Sequence, residues 1–564
     1  MAIKRHKRGN KVYLAEYKSV REGKKVRSVF VRYLGPEDKN GEVGRTQRRV
    51  LDRLELSRSS RAGDVRLLWH VAKDLDFVNV IDRICCGKSY IQGLSPGKLL
   101  TIWAINRAID PESATQLERW VATTDLPLLA SVEVADLTKE AFLTALDFVV
   151  LDDALSGRIV DYTSEIDDSL YQKYRALHPL PMGEKETIAY DLTSVLFFGV
   201  SCSLAELGYN PERIKRRQVN LALLVSKQDK APLAHFVYNG SRNGLSTIKN
   251  LLVRLQEASI EPGLIVWDRG NMSKEHVQLV EESGWKLLSG VPKTLKEVRA
   301  ILDTTEVPAS PETLARGSKA GKIYAVKGKA SLYGAVREVV VYTNRERGVR
   351  DADARNEALA VVGRELERLN VEGSDWSEKK LHKEMGAILG EWSEFVEVRV
   401  SRKRADGRRI LWRYRKVDLK RVERMDGKWV LLCTDESKSA EETVNMYLEK
   451  DFIEKVFRTI KTDEEVEPVR HRLESRVRAY LFVCTLAYRL LAALQYKLKL
   501  SLGKEDSWER ADDLLKMLSR VERTEVKFGK EIKILYLNLT NNLQETLQAL
   551  KLTELFKEET KIAM

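Results

Sequence analysis

Cysteine is scarce in this chain: five residues in 564, namely Cys85, Cys86, Cys202, Cys433 and Cys484. The number is odd and the spacing fits no zinc motif, which excludes a disulfide scaffold or a cysteine-ligated zinc fold. Most of the five sit in apolar runs and read as core thiols of a reducing compartment. Histidine is sparse too, seven residues scattered along the chain, so no histidine-based metal centre is expected. The most apolar late stretch, Ala479–Leu494, is cut by Arg489 and too short to span a bilayer, and is expected to be a buried helix. The amino terminus, MAIKRHKRGNK, is basic but is followed by no apolar run, so it does not read as a signal peptide. Internal repeats and low-complexity tracts are lacking as well. Together these absences point to the cytoplasm, in association with the nucleoid if the partner is DNA, and count against a membrane protein.

What is present is charge and core. Hydrophobic residues make up 43% of the chain and charged ones 32%, enough for a sizeable core and a well-solvated surface. The formal net charge is +13 and the sequence pI about 9.2. That balance favours a polyanionic partner, nucleic acid first and a membrane surface second. A merely basic soluble protein has the same balance. The length of 564 residues predicts several domains, on the order of three or four.

Taken in order, residues 1–46 read as a basic β-hairpin arm and linker. Lys11–Ser19 and Lys25–Leu34 alternate and carry β-formers, with a charged turn at Arg21–Lys24. A DNA-contacting arm and a plain edge hairpin fit equally. Residues 47–184 have helical periodicity, beginning with Gln47–Leu56, with caps at Ser95-Pro96 and Thr138. They read as an all-α domain that binds DNA or supports a neighbour. Residues 185–291 change character to β-β-β-α-β-α-β. The strand Thr187–Tyr190 is expected to end at Asp191, and the continuous apolar strand Pro262–Trp267 at Asp268. Residues 292–427 read as an insertion. Strands are expected at Arg337–Tyr342, Phe395–Val400 and Ile410–Val417, helices at Asp351–Leu369 and Ser377–Leu389. Residues 428–500 return to the α/β pattern, with a long helix from Pro468 to Leu500. Residues 501–564 are mostly helical, with one short strand at Glu531–Leu537 and a terminal helix at Leu543–Glu558.

The chemistry concentrates on two aspartates and one later helix. Ser439 and Glu442 form a capping box that should start a helix running through YLEKDFIEKVFRTIK. At about 100° per residue, Tyr447, Lys450, Glu454 and Lys461 fall within roughly 60° of one another. A solvated helix with i,i+4 ion pairs carries the same residue types. An aspartate after a strand is often only a turn or helix cap. The combination of Asp191, Asp268 and Glu454 on one α/β unit with a basic surface is less ordinary. It suits two hard divalent cations, Mg²⁺ or Mn²⁺, which take oxygen ligands. Two such ions about 3.5–4 Å apart can activate an attacking oxygen and stabilise a leaving one in phosphodiester displacement.

On these residues the chain resembles the DDE transposases of bacterial insertion sequences, with a ribonuclease-H-like core. The face Tyr447-x2-Lys450-x3-Glu454-x6-Lys461 is similar to the Tyr-Arg-Glu-Lys signature of one large subgroup. The contexts AYDLTS, VWDRGN and PVRHRLESRVRAYLF resemble that subgroup too. One position departs: Lys450 stands where the subgroup has arginine, keeping the charge but not the bidentate fork. The resemblance covers roughly residues 185–495. It implies an α/β fold of a ribonuclease-H-like core with a mostly β insertion, an all-α amino-terminal domain and a helical carboxy-terminal region. It implies metal ligation by Asp191, Asp268 and Glu454. It also implies cleavage at the element's terminal inverted repeats to leave a 3′-hydroxyl, and attack by that hydroxyl on target DNA or on the opposite strand to give a hairpin. Tyr447, Lys450 and Lys461 would position the terminal nucleotides, and two copies of the chain would bring two ends together. Arg242, Arg269, Asn271, Arg458 and His471 are further candidate DNA contacts. Trp412 is the candidate to stack on a flipped base, with Trp376 and Trp392 as alternatives and a core role equally open. Two other readings stay open: a metal-dependent nuclease of the same fold without strand transfer, and a catalytically inactive DNA-binding protein.

Overall fold

The computed structural model describes residues 2–9, 11–22, 25–37, 54–86, 94–153, 157–210, 213–242, 244–318, 321–401, 409–503, 509–528 and 531–562. The linker after Glu37, the first part of the helix expected at Gln47–Leu56 and the basic stretch 402–408 lie outside the described residues. In chain order the strands are β1 (Ala2–Arg8), β2 (Lys11–Glu22), β3 (Lys25–Pro36), β4 (Leu54–Arg61), β5 (Val150–Asp153), β6 (Arg158–Asp161) and β7 (Thr187–Leu196). Then come β8 (Glu206–Leu207), β9 (Arg217–Ser226), β10 (Pro232–Asn239), β11 (Leu264–Trp267), β12 (Lys286–Gly290), β13 (Leu314–Ser318), β14 (Gly321–Leu332) and β15 (Ala335–Asn344). The last are β16 (Val396–Val400), β17 (Ile410–Tyr414), β18 (Lys428–Cys433), β19 (Glu522–Phe528), β20 (Glu531–Leu537) and β21 (Glu559–Ile562).

The chain divides into two compact units, one of Met1–Trp69, Arg119–Val134 and Lys497–Met564, the other of His70–Glu118 and Ala135–Tyr496. The helices expected as one all-α domain over 47–184 are therefore shared between the two. Their predicted caps are present: Ser95 accepts from the Lys98 N–H and Thr138 from the Ala141 N–H.

The larger unit is built on a mixed sheet of order β10-β9-β7-β11-β12-β18-β15-β14-β13, with β8 paired to β9. β7, β11 and β12 are mutually parallel, and β9 and β10 continue antiparallel beside β7. β11 is buried along its whole length, as its unbroken LIVW run requires of a strand covered on both faces. One face packs Ile188, Tyr190, Ile265, Trp267, Leu287 and Val430 against apolar residues of helices Ile248–Glu257, Lys274–Glu282 and Lys296–Thr304. The other packs Val266, Leu288, Val340 and Leu431 against Val444 and Tyr447 of helix Ala440–Leu448. Helix Glu474–Leu502 is long and apolar enough to cross a membrane, yet 94% of its most apolar window is buried inside the protein, so it is a core helix, as its Arg489 foreshadowed. That arginine is itself buried and pairs with Asp167 at 2.8 Å, while Asp167 also meets His235 Nδ1 at 2.7 Å.

The insertion differs from the mostly β expectation. β13, β14 and β15 do not stand apart; they extend the main sheet through β18. What remains is largely helical, Arg345–Glu372, Glu378–Leu389 and Lys416–Met425, with β16 and β17 as its two-stranded ribbon. The physical reason lies in the residues. Leu359, Val362, Leu366 and Leu369 recur at helical spacing and bury against Leu381, Met385, Val396 and Ile410. The periodicity read from the sequence stands here, and the fold borrowed by resemblance does not.

In the smaller unit, β1–β3 form a three-stranded antiparallel sheet, and β4, β19, β20 and β21 form another in the order β21-β20-β19-β4. Leu54–Leu56 is thus the start of a strand, not the end of a helix. β4 pairs with β19 over its length, so a partner distant in sequence overrides the local helical pattern. The terminal helix is likewise shorter than expected, Asn541–Ala549, and the last described element is β21.

Candidate active site

The register of two parallel strands sets the first half of the site. Tyr190 on β7 pairs with Trp267 on β11 as the last pair of that ladder. Asp191 and Asp268 are the next residue on each, and neighbouring strands lie about 4.8 Å apart. β11 ends there and Asp268 opens a 3₁₀ turn, Arg269–Asn271, without its side chain capping it. β7 does not end at Asp191 as expected but runs on to Leu196, because β9 continues to pair with it through Leu196 and Gln218. Asp191 is half-buried and Asp268 half-exposed.

The second half comes from the chain after β18. The capping box is formed: the Ser439 N–H donates to Glu442 Oε2 at 2.7 Å, and the Glu442 N–H to Ser439 Oγ at 3.1 Å. The single helix expected to carry four residues on one face is not. Helix Ala440–Leu448 stops, a tight turn of i→i−3 bonds follows (Lys450 N–H to Tyr447 O, Ile453 N–H to Lys450 O), and helix Asp451–Arg458 begins. A wider π-helical turn then covers Thr459–Asp463. Tightening before Glu454 and widening after it rotate Tyr447, Lys450 and Lys461 away from ideal 100° steps. Helix Asp451–Arg458 is fastened by its apolar side: Phe452, Ile453, Val456 and Phe457 are buried, and Lys230 Nζ lies 3.9 Å from the centre of the Phe452 ring. Glu454 and Arg458 are left exposed on the opposite side.

Tyr447 and Lys450 converge on Asp268. The Tyr447 hydroxyl donates to Asp268 Oδ1 at 3.4 Å, and Lys450 Nζ stands 3.4 Å from the same oxygen. Gly290 makes room for the phenol; a Cβ there would lie 2.5 Å from Tyr447 Oη. Burial pushes the Asp191 carboxyl up to about 6; the Leu192 N–H and Lys450 oppose the rise, while Asp268 and Glu454 add to it. The three carboxylates therefore share one electrostatic neighbourhood, with Lys450 as its counter-charge. As the side chains stand, no group of three or more His, Cys, Asp or Glu among the described residues converges closely enough to grip an ion. Hard oxygen donors and a recessed carboxyl made uncomfortable by two others are nonetheless the donor chemistry that a divalent cation relieves.

The remaining candidates scatter. Lys461 sits away from Asp268 and pairs with Glu467 at 3.6 Å; Glu467 Oε1 also accepts from the Leu196 N–H. That places Lys461 beside the far end of β7. Arg269 is exposed next to Asp268, whereas Asn271 is buried against Gly244. Arg242 lies over the Tyr238 ring and donates to Ser246. His471 packs against Tyr480, and burial, with Arg476 and Arg107 adding to it, lowers it to about 4. Trp412 is half-buried in the insertion's small core, its Nε1–H donating to Glu367 at 3.1 Å and its ring edge-on to Tyr414. Trp376 and Trp392 pack against the same core.

Sequence reading passed over a set of cations near Lys461. After β7, Phe197 bridges to Val469, and the loop returns through Arg213, Lys215, Arg216 and Arg217. These four, with Arg470 and Arg472, are exposed, and Arg216 lies 3.9 Å from the centre of the Phe198 ring. The carboxylates around them are engaged: Glu467 with Lys461, Glu474 with Arg478, Glu206 with Ser241 and Asn239. The run RIKRR carried the signal, but a charge run is ordinarily a solvated face, and its proximity to Lys461 is visible only once β7 and Val469 meet.

No curated protein matches the sequence. Among solved structures, the chain is similar to a piggyBac transposase in a synaptic complex with hairpin DNA, at 10% identity and a TM-score of 0.38, with 82% of each chain covered; a likeness that slight says nothing about function. The family model described as the transposase DDE domain matches residues 183–490, more than half of the chain and all of the residues around the three carboxylates. The chain belongs to the transposase DDE domain family.

Proposed function

We propose that the protein is a DNA transposase that cuts phosphodiester bonds at the ends of an insertion sequence and joins the freed 3′-hydroxyl to target DNA. The observation that carries this reading is the pairing of Asp191 and Asp268 just beyond the last rung of β7 and β11, with Glu454 and Lys450 acting on the same carboxyl. The strand order supports it. Counted in chain order from β7 and leaving out the short β8, β10-β9-β7-β11-β12 is 3-2-1-4-5 with the second strand antiparallel, the order expected of a ribonuclease-H-like core.

Asp191, Asp268 and Glu454 are the residues that would hold two divalent cations, Mg²⁺ or Mn²⁺. When bound, such ions polarise the attacking oxygen and neutralise charge that develops at the phosphate. The chain's own groups supply the rest. Lys450 and Tyr447 now meet Asp268 Oδ1, and their ammonium and phenol would be the groups that hold a phosphate oxygen beside that carboxylate. Lys450 would act as a point charge without the fork of an arginine. Lys461 and the exposed cations Arg213, Lys215, Arg216, Arg217, Arg470 and Arg472 would take the backbone of the DNA entering the site. Arg269, Arg458 and Arg242 would be further contacts to that backbone. His471, held neutral, serves packing. Two ends must meet for transposition, so the working form would be a homodimer on DNA.

The test is a strand-cleavage and joining assay. It uses labelled DNA bearing the terminal repeats that flank the gene, with Mg²⁺ or Mn²⁺, for wild type and Glu454→Gln. Metal-dependent nicking at the repeat terminus followed by joined product is expected, with both activities reduced more than about 100-fold in the variant, beyond the 10–100-fold typical of outer-shell partners. Cleavage without joining would favour a nuclease. Binding without cleavage in either protein would overturn the catalytic assignment.

A further inference from the structure

The first 37 residues hold eleven Lys and Arg against three Glu, and the structure gives this charge a shape. In the sheet of β1, β2 and β3 the register puts Lys4 opposite Ala15, His6 opposite Tyr13, Ala15 opposite Tyr33, and Tyr17 opposite Phe30. Side chains opposite one another share a face. Phe30 and Tyr33 are three residues apart, an odd spacing that would send them to opposite faces. A shift in register between Glu16 and Tyr17 leaves Val31 over and returns both rings to the same side.

The result is one face bearing Tyr13, Tyr17, Phe30 and Tyr33, with Lys4, His6 and Arg8 along β1. Tyr13 and Tyr33 lie 5.8 Å apart between ring centres, Tyr17 and Phe30 5.7 Å and edge-on. Lys4 Nζ sits 4.9 Å over Tyr17, whose hydroxyl is 2.9 Å from His6 Nε2. His6, Arg8, Tyr13, Tyr17, Phe30 and Tyr33 line an open cradle of about 590 Å³. Phe30 and Tyr33 remain 54% and 56% exposed, unusual for large apolar rings placed side by side. On the opposite face Arg32 is paired with Glu16, and Arg5 with Glu37.

We propose that this face is a stacking platform for single-stranded DNA, with unpaired bases laid on Phe30 and Tyr33 and the phosphates taken by Lys4, Arg8 and Lys11. The choice of ligand follows from the chemistry. Exposed rings with interleaved cations match a strand that offers flat base faces and a charged backbone. A duplex offers the phosphates but hides the base faces in its stack. An acidic peptide would satisfy the cations and leave the rings unused. The platform does not rest on the assignment of Asp191, Asp268 and Glu454.

The experiment uses the full chain in EDTA, so that no cleavage intervenes. Fluorescence anisotropy follows an oligothymidine strand and a mixed-sequence duplex of equal length. Wild type should bind the strand more tightly than the duplex. Phe30→Ser with Tyr33→Ser should weaken strand binding by tenfold or more, by a typical loss of about tenfold per stacked base, and leave duplex binding unchanged. Phe30→Tyr with Tyr33→Phe should keep it. Lys4→Gln with Arg8→Gln should weaken the strand and flatten its salt dependence, whereas Lys18→Gln on the opposite face should not. Equal affinity for strand and duplex, strand binding indifferent to the two serines, or competition by polyglutamate as effective as by oligothymidine would each overturn the proposal. Loss of metal-dependent cleavage in a separate assay would bear on the carboxylates and leave the platform standing.

Discussion

In β7 and β11 the side chains of Ile188, Tyr190, Val266 and Trp267 are covered, whereas on β3 Phe30 and Tyr33 stand more than half in water. Both regions are strands rich in β-branched and aromatic residues, and their local sequence is of similar character. What separates them is cover. The main sheet has helices on both faces, so its apolar area contributes stability at roughly 25 cal/mol per Å² removed from water. The amino-terminal sheet leaves its rings uncovered, and that area remains to be used by a ligand. In the first region the polar groups gather where the ladder of β7 and β11 stops; in the second, rings and cations share a whole face.

Mutations that strike the covered region and spare the exposed one should separate the two. The largest effect is expected at Asp167. Burial alone would raise its carboxyl, but His235, Arg489 and Arg254 outweigh that and hold it below the usual carboxylate range. Asp167→Asn leaves the buried Arg489 without its counter-charge. Removing one partner of a buried pair costs about 3–5 kcal/mol, to be read from the shift in urea midpoint. Gly290→Ala is next. The new Cβ would collide with the Tyr447 hydroxyl, and a displacement of about 1 Å at a site of this kind costs on the order of 100-fold in rate. Cleavage should fall by that much while the urea midpoint moves little; a matching fall in stability would instead make Tyr447 a packing residue.

His471 gives a pH signature. Its folded value of about 4 is below the ordinary histidine value, so between about pH 6.5 and 4 the unfolded chain takes up a proton that the folded chain refuses. Stability therefore falls as pH drops through that window, by on the order of 3 kcal/mol. His471→Asn should flatten that part of the stability profile, and an unchanged slope would show that the ring is not the group responsible. The smallest effect belongs to the exposed sheet: Phe30→Ser should change global stability by less than about 0.5 kcal/mol, as surface substitutions do. A larger loss would mean that the ring is covered in solution and that the two sheets are not different in kind.

The difference also governs what the sequence disclosed. Asp268 and Glu454 could be named from local patterns, a strand end and a helix, whereas Asp191 was named from a strand end that is absent, since β7 runs on to Leu196; it is the parallel pairing of Tyr190 with Trp267 that sets the two aspartates on neighbouring strands. The meeting of Tyr447 and Lys450 at Asp268 was half legible. Spacing named the residues, but the tight turn at Lys450 and the π turn after Arg458 depend on how Phe452 and Phe457 seat in the core. The first three residues of β4 were misread as the end of a helix because its partner β19 lies far along the chain. The shared face of Phe30 and Tyr33 was hidden by their odd spacing, which a single bulge reverses.

The pairing of β4 with β19 has a bearing on how the protein is made. Ser59 Oγ donates to Glu522 Oε2 at 2.7 Å across 463 residues of sequence. At 5–20 residues per second a ribosome needs roughly half a minute to a minute and a half to travel that distance. Throughout that interval β4 has emerged and its sheet cannot form. A chain cut short by a frameshift or an internal stop before β19 would never close this sheet, so its closure reports that synthesis has passed β19.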